Sequence, residues 1–182
     1  MKLRIISGEL GGRLIDVPKS DHIRPTTDRV RETLFNILKN KINFENISVL
    51  DFYSGTGSLG IECISRGASF VNFVEKDFLI FQNLLKNITL LSIQDKCMVI
   101  KSDAVSFSKQ PPSKKFSLIL ADPPFFKDDI YEVVENLKVN NYFDGSNFMI
   151  IERSIQTKSK DMFNFSVDPF KIIGDTCLYE IC

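Results

Sequence analysis

The most constraining feature of this sequence is a regular alternation of β-type and helical patterns between residues 47 and 152. Short apolar runs predict strands, and stretches with apolar residues three and four positions apart predict the helices between them. The predicted strands span 47–52, 69–75, 96–101, 116–121 and 147–152, and the predicted helices span 58–66, 77–91, 103–108 and 128–138. This alternation predicts an α/β fold with a doubly wound, mostly parallel sheet.

The N-terminal part of the chain has a different pattern. Residues 2–7 and 13–17 are short β-type runs around a cluster of glycines, which predicts a β-hairpin. A helix is predicted to follow, with Thr26 or Thr27 as its cap and Asp28 in its first turn. We therefore expect the hairpin to be an extension placed before the alternating core.

At the C-terminal end, two β-type runs lie around 162–167 and 175–181, and no long helix is predicted between them. They predict an antiparallel hairpin at one edge of the sheet. The length of 182 residues suits a single domain. We expect residues 1–23 to form the hairpin extension of that domain and residues 24–182 to form its core.

Composition excludes several classes of protein. The chain is 43% hydrophobic and 25% charged, which are ordinary globular values. It has no apolar run long enough for a membrane helix, no signal peptide pattern and no CxxC pair among its four cysteines. With His22 as its only histidine, no metal site is expected. These features predict a cytoplasmic protein, and the lack of a coiled-coil pattern is compatible with a monomer.

Charge is balanced overall but not along the chain. The 23 basic and 23 acidic residues cancel, whereas residues 1–41 hold nine Lys or Arg and five Asp or Glu. A basic end on a neutral chain allows one face to meet phosphates, although a chance imbalance explains the same numbers.

A glycine-rich segment follows the first strand of the alternating region. Gly55, Gly57 and Gly60 match the G-x-G-x-x-G pattern of nucleotide-binding turns, with a strand before the pattern and a helix after it. Glu75 ends the next predicted strand, where a carboxylate can accept hydrogen bonds from both hydroxyls of a ribose. Together these residues predict a site for a nucleoside-containing cofactor.

Two further acids favour one cofactor over others. Asp51 places a negative charge beside the glycines, which would repel a pyrophosphate and attract an amino group or a sulfonium. Asp103 follows the strand at 96–101 and could accept a hydrogen bond from the exocyclic amine of adenine, or cap the short helix after it, or both. S-adenosylmethionine carries all of the groups that these acids would attract.

A second candidate site follows the most apolar predicted strand, as Asp122-Pro123-Pro124-Phe125. Proline has no N–H, so this backbone offers only acceptors. The Asp122 carboxylate and the Pro123 carbonyl could together receive both N–H groups of a planar amine, and Phe125 could stack on the base that carries it. The alternative is a stiff turn with a purely structural role. The motif lies after a strand beside the glycine segment, and this position favours a catalytic role.

These motifs, taken together, resemble class I S-adenosylmethionine-dependent methyltransferases that act on exocyclic amines. Residues 24–36, RPTTDRVRETLFN, narrow the resemblance to the bacterial small-subunit rRNA guanine-N2 methyltransferase family. RIISGELGGR near the start, LDFYSGTGSLGIECISRGA and the closing LYEI also resemble that family. The resemblance covers residues 3–181.

The resemblance implies a seven-stranded sheet and methylation of the N2 amine of a guanine in 16S rRNA, presented on an assembling 30S particle. It implies that the cofactor is bound by Asp51, Tyr53, Gly55, Gly57, Glu75, Asp103, Ala104, Thr26 and Thr27. The base would be met by Asp122, Pro123 and Phe125, and RNA phosphates by Arg4, Arg13, Arg24, Arg29 and Arg31. The larger set of candidate phosphate contacts includes a loop with Arg153, Lys158 and Lys160.

The sequence motifs are also compatible with other functions. The same motifs could serve methylation of DNA adenine N6 or of a protein amide, and residues 24–36 argue against both. An NAD-dependent oxidoreductase would use the glycine pattern but needs an acid or base near the nicotinamide, and His22 lies far upstream. A non-catalytic RNA-binding assembly module would bind the cofactor without turnover.

Overall fold

A computed structural model describes residues 1–18, 28–124 and 126–182. The strands are β1 Lys2–Arg4, β2 Leu14–Asp16, β3 Ser48–Phe52, β4 Phe70–Glu75, β5 Cys97–Lys101, β6 Leu118–Ala121, β7 Phe148–Ser154, β8 Lys171–Ile173 and β9 Thr176–Ile181. The helices are α1 Asp28–Leu38, α2 Ser58–Ser65, α3 Phe78–Leu91, α4 Ala104–Ser108, α5 Asp129–Val139 and α6 Lys158–Phe165.

Seven strands form one sheet in the order β5-β4-β3-β6-β7-β9-β8. The pairs from β5 through to β7 are parallel, and β9 runs antiparallel between β7 and β8. This confirms the predicted α/β fold with a mostly parallel seven-stranded sheet. Because β3, β4, β5 and β6 are parallel neighbours, their carboxyl ends lie along one edge, and strand order reverses beside β3.

Alternating side chains of the central strands divide the core into two layers. On one face, Val49 and Phe73 pack with α1, α2, α3 and the N-terminal hairpin. On the other face, Leu50 and Ile119 pack with α5 and α6. Both faces of the sheet are therefore covered, which explains why the strands read as continuous apolar runs.

The prediction of a strand at 162–167 is wrong. Those residues belong mostly to α6, where Phe165 packs against Tyr131 and Tyr179 while Phe163 is exposed. The residues looked like a β-type run, but two residues three positions apart, Met162 and Phe165, reach the same core. Tertiary packing therefore selects the helical period.

The position of Arg153 also differs from the prediction. β7 continues to Ser154, so Arg153 lies inside a strand with no exposed surface instead of in a basic loop. Its Nε donates to Asp161 Oδ1 at 3.0 Å, and its Nη1 donates to the carbonyl oxygen of Lys127 at 3.1 Å. Arg153 is therefore a structural residue and not a phosphate contact.

The N-terminal hairpin is present, as predicted, and it is attached to α2 by polar contacts. The buried carboxylate of Glu62 accepts the backbone N–H groups of Ile6 at 2.8 Å and Ser7 at 3.1 Å, and the Arg66 Nε at 2.8 Å. Ser65 Oγ accepts the N–H of Leu10 at 3.0 Å. One turn of α2 thus supplies the hydrogen bonds that the hairpin backbone needs when it leaves water.

We expect Glu62→Gln to lower the free energy of unfolding by about 2 kcal/mol, because the amide keeps the shape but turns a donor toward backbone N–H groups that need acceptors. Because the chain has no tryptophan for fluorescence, chemical denaturation followed by circular dichroism measures the loss. Glu45→Gln, at an exposed position, is the matched control and should leave stability unchanged. Equal stability of the two variants would contradict the role of Glu62 in hairpin docking.

Candidate functional site

The segment between β3 and α2, residues 53–57, is called the glycine loop here. Tyr53, Gly55 and Gly57 have positive φ angles of 54°, 55° and 83°. Glycine adopts such angles without strain, so the loop can turn sharply at the carboxyl end of β3. Tyr53 is a non-glycine residue in the same region, and strained backbone of this kind is typical of functional sites.

The side chain of Tyr53 is partly buried. Its ring packs against the core on the α5 and α6 side of the sheet. Burial raises the pKa of its hydroxyl well above the usual range, and the nearby Asp129 carboxylate adds to the rise. The phenol therefore stays protonated, and its ring anchors the loop to the core.

Glu75 links the glycine loop to the next helix. Its Oε2 accepts the N–H of Gly55 at 3.0 Å, and its Oε1 accepts the N–H of Asp77 at 2.8 Å. Asp77 in turn caps α3 by accepting the N–H groups of Leu79 and Ile80. Each carboxylate oxygen of Glu75 keeps a second lone pair, so both can also accept a hydroxyl of a bound ribose.

Asp51 lies beside the first turn of α2. It is 1% exposed, and its Oδ2 accepts the N–H of Gly60 at 3.0 Å. Burial raises the pKa of Asp51 to about 8, the Gly60 N–H opposes this, and the charges of Asp122 and Glu75 add to the rise. Without a ligand, the raised pKa favours the protonated form of Asp51, and its negative charge beside the glycines stays a prediction for the liganded site.

A raised pKa of Asp51 predicts a pH-dependent stability. The pKa rises from 3.8 to about 8 on folding, so the folded state binds more protons between these values. The free energy of unfolding should therefore fall as pH rises through this window, and Asp51→Asn should flatten that fall. Denaturant unfolding at several pH values checks both. An unchanged slope in the variant would show that Asp51 is ionised in the folded protein.

Asp103 and Ala104 follow β5 at the same edge of the sheet. Asp103 caps α4, with its Oδ1 accepting the N–H of Ser106 at 2.8 Å, and this bond lowers its pKa. The N–H of Ser102 donates to the carbonyl of Glu75 at 3.2 Å, which joins this turn to the end of β4. Asp103 is exposed and Ala104 is buried. The capping role is confirmed, and because Asp103 is exposed, its second carboxylate oxygen can also contact a ligand.

Asp122 and Pro123 follow β6, whose Ala121 is paired in register with Phe52 of β3. This register sets the Asp-Pro-Pro turn beside the glycine loop, and the Asp122 charge reaches Asp51. Pro123 is buried and Asp122 is partly exposed. The structure thus brings Asp122 and Pro123 next to Asp51 and the glycine loop at one edge of the sheet, as the carboxyl-edge rule for parallel sheets requires.

Two of the arginines predicted to contact RNA have structural roles. Arg31 is 1% exposed, and its Nη2 donates to Asp28 Oδ1 at 2.6 Å and to the carbonyl of Arg4 at 2.8 Å. Arg13 donates to the carbonyls of Leu90 and Leu91 at the end of α3. For Arg31 the prediction of a phosphate contact is wrong in this structure, because the guanidinium is buried between α1 and β1.

The other predicted RNA contacts differ in accessibility. Arg4 is exposed, with its Nη2 4.0 Å from Glu32 Oε1, and Arg29 is exposed on α1. Arg24, Thr26, Thr27 and Phe125 lie outside the described residues. For Arg4 and Arg29, contact with RNA stays a prediction.

Asn87 is a connecting residue that sequence reasoning missed. Its Oδ1 accepts the N–H of Asp16 at 2.8 Å, and its Nδ2 donates to the carbonyls of Asp16 at 3.0 Å and Thr56 at 3.1 Å. It therefore joins α3, the hairpin and the glycine loop. The sequence signal that could have identified Asn87 is its side-chain amide on the apolar face of a predicted helix, between Leu84 and Ile88.

The arrangement fits a nucleoside ligand with a cationic part. Glu75 offers acceptors for a ribose beside the glycine loop, and the buried Asp51 would ionise beside a cation. The Asp-Pro-Pro turn then offers acceptors to a second, amine-bearing molecule. Among residues 1–18, 28–124 and 126–182, no group of three His, Cys, Asp or Glu could hold a metal ion, and no helix could cross a membrane.

Comparison with known proteins finds full-length relatives. The chain is 36% identical over 182 residues to ribosomal RNA small subunit methyltransferase D of Escherichia coli strain K12, covering 98% of this chain and 90% of the relative. It is 35% identical to the protein of the same name from Buchnera aphidicola subsp. Acyrthosiphon pisum, covering 100% of this chain and 94% of the relative.

Solved structures that superpose on this chain include methyltransferases. A candidate methyltransferase from Escherichia coli, yhhF, superposes with a TM-score of 0.82 at 30% identity, covering 100% of this chain and 98% of that one. A precorrin-6y methyltransferase from Geobacter metallireducens, at 12% identity and a TM-score of 0.64, shares the fold alone.

The family described as Conserved hypothetical protein 95 matches residues 3–181. The chain therefore belongs to that family, the family of the ribosomal RNA small subunit methyltransferases D.

Proposed function

We propose that this protein transfers a methyl group from S-adenosylmethionine to the exocyclic N2 amine of a guanine in 16S rRNA. The observation that carries the proposal is the Asp122-Pro123 turn at the end of β6, beside the glycine loop and the buried Asp51. The names of the full-length relatives support a small-subunit rRNA as the substrate.

The cofactor supplies a methyl group on a positively charged sulfur. In the proposed complex, Glu75 binds the ribose hydroxyls, Asp103 and Ala104 contact the adenine, and the turn at Gly55 and Gly57 lies against the amino acid part. Asp51 ionises beside the ligand's positive charge, because an adjacent cation lowers the pKa of a carboxylic acid. Thr26 and Thr27 stay proposed contacts from the preceding segment.

The reacting amine is oriented by acceptors alone. An exocyclic amine on guanine is a weak nucleophile, because its lone pair is delocalised into the ring. The Asp122 carboxylate and the Pro123 carbonyl each accept one of its N–H groups, which favours a pyramidal nitrogen and directs the lone pair at the methyl group. Phe125 stacks on the base. After transfer, the acidic N–H proton passes to Asp122 or to water.

The substrate must bring the base out of its stack, so we propose that an exposed guanine enters the cleft from single-stranded or unpaired RNA. We further propose that the RNA is presented within an assembling 30S particle in the cytoplasm and that the protein acts as a monomer. Arg4, Arg13, Arg24 and Arg29 are the proposed phosphate contacts that remain after the buried Arg31 is assigned a structural role.

The test is transfer of a labelled methyl group to naked 16S rRNA, to 30S particles lacking the modification, and to duplex DNA. The labelled nucleosides are then digested and identified. We expect N2-methylguanine from RNA or particles alone, and the preferred form identifies the stage of assembly. Label in adenine of DNA would favour the DNA alternative, and label in protein would favour the amide alternative. Cofactor binding without any transfer would favour a non-catalytic assembly module.

A further inference from the structure

A buried arginine of β7 lies beside the loop that carries the Asp-Pro-Pro turn. Ala121, the last residue of β6, is paired in register with Ile151 of β7, and β7 continues past the end of β6. Arg153 is two residues beyond Ile151, which places it level with Pro123 along the sheet. Side chains two residues apart share a face of a strand, so Arg153 points to the same side as Ile151, toward α5 and α6.

The guanidinium of Arg153 connects this loop to α6. Its Nη1 donates to the carbonyl oxygen of Lys127 at 3.1 Å, and its Nε donates to Asp161 Oδ1 at 3.0 Å. The N–H of Lys127 donates to the carbonyl of Pro124 at 3.0 Å. The backbone that follows the Asp-Pro-Pro turn is therefore held by β6 on one side and by Arg153 on the other.

Asp161 holds the guanidinium in one orientation. Its Oδ1 also accepts the hydroxyl of Tyr131 at 2.6 Å, and its Oδ2 accepts the hydroxyl of Thr157 at 2.6 Å. The side chains of Arg153 and Asp161 are both 0% exposed, so water does not compete for these bonds. Because the carboxylate is fixed, the direction in which Arg153 presents Nη1 to the loop is fixed as well.

Stability alone does not account for an arginine at this position. A buried ion pair loses its hydration, and apolar side chains of similar volume often stabilise a core as well or better. Among the residues that the structure describes, Nη2 of Arg153 is buried without a hydrogen-bond partner, which adds to the cost. What the arginine adds is a rigid connection to a backbone carbonyl of the loop.

A second contact between the same loop and α6 is weaker. Lys160 Nζ lies 2.5 Å from Asp128 Oδ2, but both side chains are more than half exposed. Exposed ion pairs of this kind contribute little, because water and salt screen them. The buried contact of Arg153 is therefore the one that can fix the loop.

We propose that Arg153 is a positioning residue for methyl transfer, which holds the loop after β6 so that the Asp122 carboxylate and the Pro123 carbonyl stay in place for the amine. The inference rests on the proposed function, because it takes these two groups as the acceptors of the reacting amine. A catalytic group displaced by about 1 Å can slow a reaction about 10²-fold. Loss of Arg153 should therefore slow transfer without weakening the cofactor, whose proposed contacts follow β3, β4 and β5.

The test is the double variant Arg153→Met with Asp161→Asn, which removes both buried charges and keeps an oxygen for the hydroxyls of Tyr131 and Thr157. Single-turnover methyl transfer at saturating 16S rRNA or 30S particles should slow by about 10- to 100-fold, while affinity for S-adenosylhomocysteine stays within about twofold. Hydrogen exchange of the Lys127 N–H should be about tenfold faster, because the loop opens more often without the arginine. The exchange is measured without substrate and does not depend on activity.

A second variant, Arg153→Lys, keeps a positive charge beside Asp161. The single nitrogen of lysine cannot donate in both directions of the guanidinium fork, so this variant should fold normally and still transfer at least about fivefold more slowly. It decides the question if the double variant does not fold.

Two controls separate positioning from folding. Leu137→Ala removes a fully buried side chain from the same layer of the core, in the last turn of α5, and should lower the free energy of unfolding but keep the wild-type rate. Asp128→Asn breaks the exposed contact with Lys160 and should also keep the wild-type rate. Both controls should keep the wild-type exchange of the Lys127 N–H.

A wild-type transfer rate in either Arg153 variant would overturn the proposal. So would a rate loss that Leu137→Ala reproduces, because it would follow stability, or one that comes entirely from weaker S-adenosylhomocysteine binding. If the wild-type protein forms N2-methylguanine and the variants do so equally fast, only the role of Arg153 is removed. If the wild-type protein methylates another acceptor, the guanine reaction is removed, and the same rate comparison on that acceptor decides the role of Arg153. Transfer to no acceptor removes both.

Discussion

Asp122→Ala should reduce kcat for methyl transfer by at least about 10³-fold while the affinity for S-adenosylmethionine stays within about twofold. The reason is that the carboxylate accepts an N–H of the reacting amine, whereas the methyl side chain of alanine offers no acceptor there. The remaining Pro123 carbonyl can hold only one N–H and leaves the nitrogen free to turn. Single-turnover transfer to unmodified 16S rRNA or 30S particles measures kcat, and calorimetry measures cofactor binding.

The matched control for this variant is Asp168→Ala, which removes an exposed carboxylate from the loop before β8. It should keep full activity. Because the charge of Asp122 raises the pKa of Asp51, the Asp122 variant should also show a lower Asp51 pKa, which provides an independent sign that the substitution acted locally. Near-normal kcat in Asp122→Ala would remove the amine-holding role and, with it, the proposed mechanism.

Gly60→Ala should lower the free energy of unfolding by about 3 kcal/mol and weaken cofactor binding. A Cβ at Gly60 would overlap the ring of Phe73 and lie 2.9 Å from Asp51 Oδ2. Phe73 has no exposed surface, so its ring has no free space to enter. The helix must therefore move away from the sheet, which breaks the hydrogen bond from the Gly60 N–H to Asp51. Denaturant unfolding and cofactor titration measure the two effects.

Gly174→Ala separates crowding from backbone strain. Gly174 has a φ of 56°, but a Cβ there would have no atom within 4 Å, so we expect a loss of about 1 kcal/mol from strain alone. Adding Phe73→Leu to Gly60→Ala should make the combined loss smaller than the sum of the single losses, since the smaller side chain leaves room for the methyl group. A Gly60→Ala loss no larger than that of Gly174→Ala would show that α2 is not closely packed on β4.

The polar contacts of the cleft show where sequence-based prediction succeeds. Gly55, Gly57, Glu75 and Asp122 each follow or end a strand, and parallel strands bring their carboxyl ends to one edge of a sheet. Strand alternation and local turn chemistry were therefore sufficient to predict that these residues meet. The same argument predicted the helix cap at Asp103, because capping depends on residues only three positions apart.

The sequence by itself thus determined the α/β class, the strand and helix order up to 152, and the edge of the sheet that carries the candidate site. Only the tertiary structure decided that Arg31 and Arg153 are buried and that α6 replaces an expected strand. The physical reason is how far apart in the sequence the interacting residues lie. Periodicity and caps arise from neighbours along the chain, whereas the burial of a charge and the state of its proton depend on partners from distant segments.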